Sequence, residues 1–330
     1  MSGPAADWWH SGRMAIQTWL TERFDLAVPV VSAPMAGPAG GSLAAAVSAA
    51  GGLGMVGVGS ARTPEWIVEQ AEVAAGAGRA YGVGLMAWAL EKNPDQLAAV
   101  LDARPALVSV SYGPFETYLP ALREAGIAVT TQAGNLAEAL RAERAEVDFL
   151  VARGAEAGGH GRNDVGTLPL LSDVLDAVDV PVLAAGGIGT PRGLAAVLAA
   201  GAVGAWIGTA FLVCEEAANT PAARDRLIAT SSAGTAYGRV FDVAQRAGWP
   251  AEYGGRALRN SYFDRWADRL EELATDDAAA AELAAAVKAG DYETAYLYAG
   301  QGVGLLREER PAADVLANLA RAESLLRGAG

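Results

Sequence analysis

Residues 180–211 read VPVLAAGGIGTPRGLAAVLAAGAVGAWIGTAF. An apolar, β-branched run enters a glycine turn. Thr190 then stands as a candidate N-cap with Pro191 at the first helical position, and an Ala/Leu-rich stretch leads into a second apolar run. This is the order of a parallel strand, a crossover helix and the next strand. The same unit recurs along the chain. Eight strand candidates are VPVVSAP (28–34), LGMVGV (53–58), AYGVGLMAW (80–88), ALVSVSY (106–112), IAVTTQ (127–132), DFLVA (148–152), VPVLAAGG (180–187) and GAWIGTAF (204–211). Helical stretches such as GSLAAAVSAAG, TPEWIVEQAEVAAGAG and NLAEALRAERAE separate most of them. Eight β/α repeats without a change of composition predict an α/β fold, a TIM (β/α)8 barrel, over residues 25–214. Residues 1–24 read as a helical lead-in. Beyond about residue 212 the strand signals stop, and residues 215–330 read as a helical cap over the barrel mouth, with a glycine-rich return loop at 298–306.

Bulk properties narrow the function. The 330 residues carry 25 Lys and Arg against 38 Asp and Glu, a net charge of −13 that disfavours a nucleic-acid partner. No apolar run reaches the length of a membrane span, and no basic-then-apolar leader opens the chain, so the expected location is cytoplasmic. One cysteine, Cys214, and two histidines, His10 and His160, leave no internal disulfide and no Cys/His zinc site to expect.

GLGMVG, residues 52–57, matches a dinucleotide-binding fingerprint, with Glu72 near the place of a ribose-binding acid. Its context argues against that use. The fingerprint must follow a strand and open a helix, whereas these glycines follow a helix and open a strand. The turns after the seventh and eighth strands have the required context. Gly186 and Gly187, with Gly208 and Thr209 one repeat later, fall where TIM barrels often bind phosphate. Across the mouth, Met35 follows the first strand beside the backbone of Ala36 and Gly37. His160 sits in ARGAEAGGHGRND, residues 152–164, where glycines let a backbone approach a ligand closely.

SAPMAG, AGGLGMV, GAEAGGHG, VPVLAAGGIG, GAWIGTAF and AGQGVGLL, in this order from about residue 25 to 306, resemble the nitronate monooxygenases. These are FMN-dependent TIM-barrel enzymes that share the glycine-histidine loop with enoyl-acyl-carrier-protein reductases. The resemblance implies one non-covalent FMN, its phosphate on Gly186, Gly187, Gly208 and Thr209. It further implies flavin contacts from Pro34, Met35, Ala36, Gly37, Ala157, Gly158, Gly159 and Gly302. In such enzymes an alkyl nitronate passes an electron to the flavin, and O2 takes part in its breakdown to a carbonyl compound and nitrite. The implied role of His160 is base toward neutral nitroalkanes, which suits an imidazole that titrates near neutrality. The implied partners are a small nitro or nitronate substrate and O2, with a homodimer as the assembly considered. Alternatives are an NAD(P)H-dependent enoyl-thioester reductase and a flavin-binding pathway protein that has lost its chemistry. Three positions depart from the family pattern: Gly84 where an asparagine is frequent, Ala128 near a frequent lysine, and Asp173 at a frequent glutamine. Ser111, Gln132 and Gln301 are the candidates to replace their polar contacts.

Overall fold

The computed structural model describes residues 16–328. The first part of the expected lead-in, with His10, lies outside the described residues. Eleven strands are present among those described: β1 Val30–Ser32, β2 Gly54–Gly57, β3 Tyr81–Met86, β4 Leu107–Ser111, β5 Ala128–Ala133, β6 Phe149–Arg153, β7 Gly159–Gly161, β8 Val182–Ala185, β9 Gly204–Ile207, β10 Thr235–Gly238 and β11 Gly254–Leu258. Eight of them form one parallel sheet in the order β1-β9-β8-β6-β5-β4-β3-β2. A parallel bridge between Val31 and Leu53 closes it, with Leu53 N–H donating to Val30 O at 2.9 Å. The fold is a TIM barrel, and each expected barrel strand forms. GLGMVG indeed follows helix Gly41–Ala49 and enters β2, so it is a helix-to-strand junction.

Period-2 alternation sorts the strand residues. Val31, Met55, Leu107, Phe149, Val151, Leu183 and Trp206 share the inner core with Leu20 and Phe24. Val30, Val56, Val83, Val108, Val129, Leu150, Val182 and Ile207 face the surrounding helices. Leu20 and Phe24 come from helix Trp19–Phe24, whose apolar face meets Phe149 at the bottom of the barrel. The N-terminal end of the barrel is therefore plugged by apolar side chains, and the opposite end is left for chemistry.

The last third differs from the expected all-helical cap. Helices Val240–Gln245, Ser261–Trp266, Leu270–Leu273 and Asp277–Ala289 do pack around Phe241, Tyr262, Phe263, Trp266 and Leu283. Yet β10 and β11 pair antiparallel within the cap, and β11 pairs with β7, placing Gly255 opposite His160. Those strands are short and glycine-rich, so they carry no periodic signal. Helices Ala312–Ala320 and Ala322–Leu326 leave the cap and return to the barrel flank, where Val315, Leu316 and Leu319 join its outer core.

Candidate active site

The loop after β6 is built around a buried cation. Arg153, 4% exposed, ends β6 on the inner face. Its Nη2 donates to the carbonyls of Ala157, Gly158 and Gly159 at 3.3, 3.0 and 3.0 Å, and its Nη1 to that of Arg162 at 3.2 Å. Burial lowers its pKa from the usual arginine value. Four carbonyl dipoles thus supply what a carboxylate would otherwise supply, and the chain is drawn into a hairpin over the mouth. Close approach explains the glycines: a Cβ at Gly158 would stand 2.3 Å from Gly300 N, and one at Gly300 2.5 Å from Glu156 O. The return loop and the histidine loop touch backbone to backbone. His160 is consequently held in strand β7, between β11 and the barrel, and does not sit in a free turn.

Four side chains remote in sequence fix His160. Its Nε2 lies 2.7 Å from Asp242 Oδ1, on helix Val240–Gln245, and the two side chains are 11% and 4% exposed. The indole of Trp249 stacks on the imidazole at 3.6 Å between centroids and 4° between planes. Tyr298 donates its O–H to the same Asp242 oxygen at 3.3 Å. Burial, and then the charge of Asp242, push the Tyr298 phenol well above its ordinary value, so it stays a donor. Tyr112 donates to the carbonyl of His160 at 3.1 Å from a left-handed backbone (φ +67°). Burial raises its phenol as well. A non-glycine residue in that region is strained, and such strain gathers at functional sites. Sequence reading found none of these four. Asp242 alone leaves a trace: RVFDVAQ places an acid among apolar residues of a short helix, and a buried acid requires a partner.

The opposite wall is rich in donors. Gly186 and Gly187 follow β8 with φ of +118° and +70°. Thr190 caps the next helix as expected, its Oγ1 accepting the Gly193 N–H at 3.1 Å. Among the described residues no protein acceptor takes the N–H of Gly187, Gly208 or Thr209. Thr209 Oγ1 accepts the Gly300 N–H at 2.9 Å, which leaves its own O–H to donate outward. Unpaired donors converging beside a helix N-terminus suit a phosphate. Below them, the Ser109 and Ser111 hydroxyls lie 3.4 Å apart, and Ser111 Oγ accepts the Gln132 N–H at 3.2 Å. These polar groups form a floor that could meet the edge of a flat ring.

These walls enclose one cavity of about 730 Å³. Residues 34–37, Gln132, residues 157–160, Gly186, Gly187, Gly208, Thr209 and Gly302 all line it, drawn together from five βα ends and the return loop. Gln301 does not: its side chain is exposed, and only its N–H serves, donating to Glu156 O at 2.9 Å. The departures from the family pattern resolve differently. Gly84 lines the cavity, but Pro34 fills the space a side chain there would need, 2.3 Å from an added Cβ. Ala128 is buried in the inner barrel core and Asp173 is exposed on helix Thr167–Leu175, so neither stands where the flavin was expected. Cys214 is buried, its thiol pushed up to about 12 by burial, which makes it inert. A second groove of about 590 Å³, between helices Pro64–Ala75 and Asp95–Ala103, is lined by Glu65, Glu69, Glu72, Asp95 and Asp102 and offers no convergent chemistry. Among the described residues no group of three or more His, Cys, Asp or Glu is placed to hold a metal, and no helix is long and apolar enough to cross a membrane.

Known proteins show the same arrangement of chain. The nitronate monooxygenase of Paraburkholderia phytofirmans is 33% identical, with 89% of this chain and 91% of that protein covered. The nitroalkane oxidase of Streptomyces ansochromogenes superposes with a TM-score of 0.80 at 32% identity, covering 94% of this chain and 99% of the other. FabK from Thermotoga maritima superposes with a TM-score of 0.81 at 27% identity, covering 95% and 99%. The family model for nitronate monooxygenase matches residues 69–322, and the chain therefore belongs to the nitronate monooxygenase family of oxidoreductases.

Proposed function

We propose that this protein binds one FMN and oxidises alkyl nitronates with O2 to a carbonyl compound and nitrite, accepting neutral nitroalkanes through His160. The observation that carries the reading is the pairing, in one cavity, of a buried histidine with a donor-lined glycine cradle. Gly187, Gly208 and Thr209 would hold the phosphate, and residues 34–37 with Gln132 would flank the ring. When bound, the flavin supplies the electron acceptor that no side chain here can provide. The chain's own residues do the rest. His160 takes the proton α to a nitro group: the C–H bond breaks, the proton goes to the imidazole, and the electron pair moves onto the nitro group to give the nitronate. Trp249, Tyr298 and the β7–β11 sheet cover the site and limit water.

One cradle fits a mononucleotide, so the purified protein is expected to be yellow and to release FMN, and no FAD, on denaturation. Chromatography of the released flavin checks this; a colourless protein that takes up no added FMN would refute it. Likeness to FabK supports a second reading, an NAD(P)H-dependent reductase of an enoyl thioester. Anaerobic mixing separates the two. Bleaching of the flavin by nitronate and not by NAD(P)H supports the oxidation, the reverse result supports the reductase, and reduction by neither leaves a flavin-binding protein without either chemistry.

The return loop gives a narrower check. Gln301→Ala should leave flavin content and turnover unchanged, because that side chain lies outside the cavity. Gly300→Ala drives a methyl against Glu156 O and displaces the histidine loop. Displacements near 1 Å are enough to lower turnover by about tenfold to a hundredfold. Steady-state kinetics on both variants decide; equal behaviour would detach the loop from the site.

A further inference from the structure

We infer that Asp242 is the positioning residue of this site, binding His160 through Nε2 and so leaving Nδ1 as the atom that takes the substrate proton. The inference rests on the reading of His160 as a base and adds which nitrogen acts and what fixes it. A carboxylate can only accept, so the 2.7 Å contact requires that Nε2 carry the proton. In a neutral imidazole the lone pair then belongs to Nδ1. Among the described residues Nδ1 has no hydrogen-bond partner, while the His160 side chain lines the cavity.

Neither partner is free to turn away. The Trp249 stack fixes the plane of the imidazole, and β7 fixes its backbone. Asp242 is anchored by the Tyr298 O–H on the same oxygen, whereas its Oδ2 is buried without any partner. A buried carboxylate with an orphaned oxygen costs stability. That cost is sensible where the carboxylate serves chemistry: a negative charge against Nε2–H steadies the imidazolium formed when Nδ1 takes a proton. Proton transfer balances on these atoms. The substrate C–H bond breaks, the new N–H bond forms at Nδ1, the electron pair goes to the nitro group, and Nε2–H stays on Asp242 throughout.

The test reads the tautomer directly. The chain has two histidines, so ¹⁵N-histidine labelling gives two imidazoles, and loss of one set of signals in His160→Gln assigns them. In the protein as purified, His160 is expected to show a protonated Nε2 and a bare Nδ1. Asp242→Asn, nearly identical in shape, should weaken that preference, because its amide can present a donor as well as an acceptor to Nε2. It should also lower kcat on neutral nitroethane by on the order of 10² relative to kcat on the preformed nitronate, with KM little changed. Asp242→Glu should recover part of the loss, and circular dichroism with flavin content confirms that both variants fold. A protonated Nδ1 in the wild type, or equal losses on the two substrates, would overturn the assignment. If the tautomer is as stated but no nitroalkane or nitronate is turned over, the positioning role stands and the proposed substrate class falls.

Discussion

His160→Gln is expected to keep the fold and the flavin, and to lose turnover of neutral nitroalkanes by on the order of 10²–10⁴, the usual worth of a general base. Preformed nitronates should be affected far less, because they arrive without the proton to be removed. Glutamine is chosen because its amide N–H can replace Nε2 as donor to Asp242, so the buried carboxylate keeps a partner. The imidazole is more embedded than a residue among glycines would suggest, and the lost stack on Trp249 should cost about 0.5–1.5 kcal/mol of stability. Measuring kcat/KM for the neutral and anionic forms of one substrate at one pH isolates the proton transfer. An equal fall on both forms would assign His160 to binding, and no fall on either would remove it from the mechanism.

The barrel was legible because its signals are local. An apolar run of alternating inward and outward residues, a capping threonine and a proline identify a βα unit within about thirty residues, and Thr190 caps Pro191–Ala199 as read. The cap strands carry no such signal: TAYG and GGRAL are strands only because each finds the other, and β7 is a strand only because β11 lies beside it. Non-local pairing leaves little trace in composition. The site divides along the same line. Its glycines and His160 belong to barrel loops and could be found from strand-turn-helix context. Asp242, Trp249 and Tyr298 reach His160 from the cap, the first of them across 82 residues, and only the folded chain brings them there. Gln301 shows the converse. A polar residue among glycines reads as a contact, yet here the backbone makes the contact and the side chain points away.

Gly187→Val should strip the protein of flavin while leaving the barrel folded. Two neighbouring glycines make the choice instructive. A Cβ at Gly186 would stand 2.5 Å from Thr167 Oγ1, the hydroxyl that donates to Glu156 at 2.7 Å, so substitution there disturbs the histidine loop along with the cradle. At Gly187 the nearest protein atom to an added Cβ is Glu156 Cβ at 3.5 Å, an ordinary contact. The burden falls on the backbone: at φ +70° a β-branched residue is a genuine outlier, costing about 1–2 kcal/mol in place. Relaxing that strain rotates the peptide and turns the unpaired Gly187 N–H away from the bound anion. The same substitution thus spends little of the core's stability and most of the cradle's geometry. Flavin retained through gel filtration should be nearly absent, and fluorescence titration with FMN should show at least about a tenfold rise in Kd, the equivalent of one lost charge-assisted hydrogen bond. Circular dichroism and the urea midpoint should move by no more than the backbone cost. Normal occupancy with an unchanged Kd would mean that the phosphate lies elsewhere in the mouth, whereas loss of the fold itself would make Gly187 a structural glycine and leave Thr209 and Gly208 to be tested as the cradle.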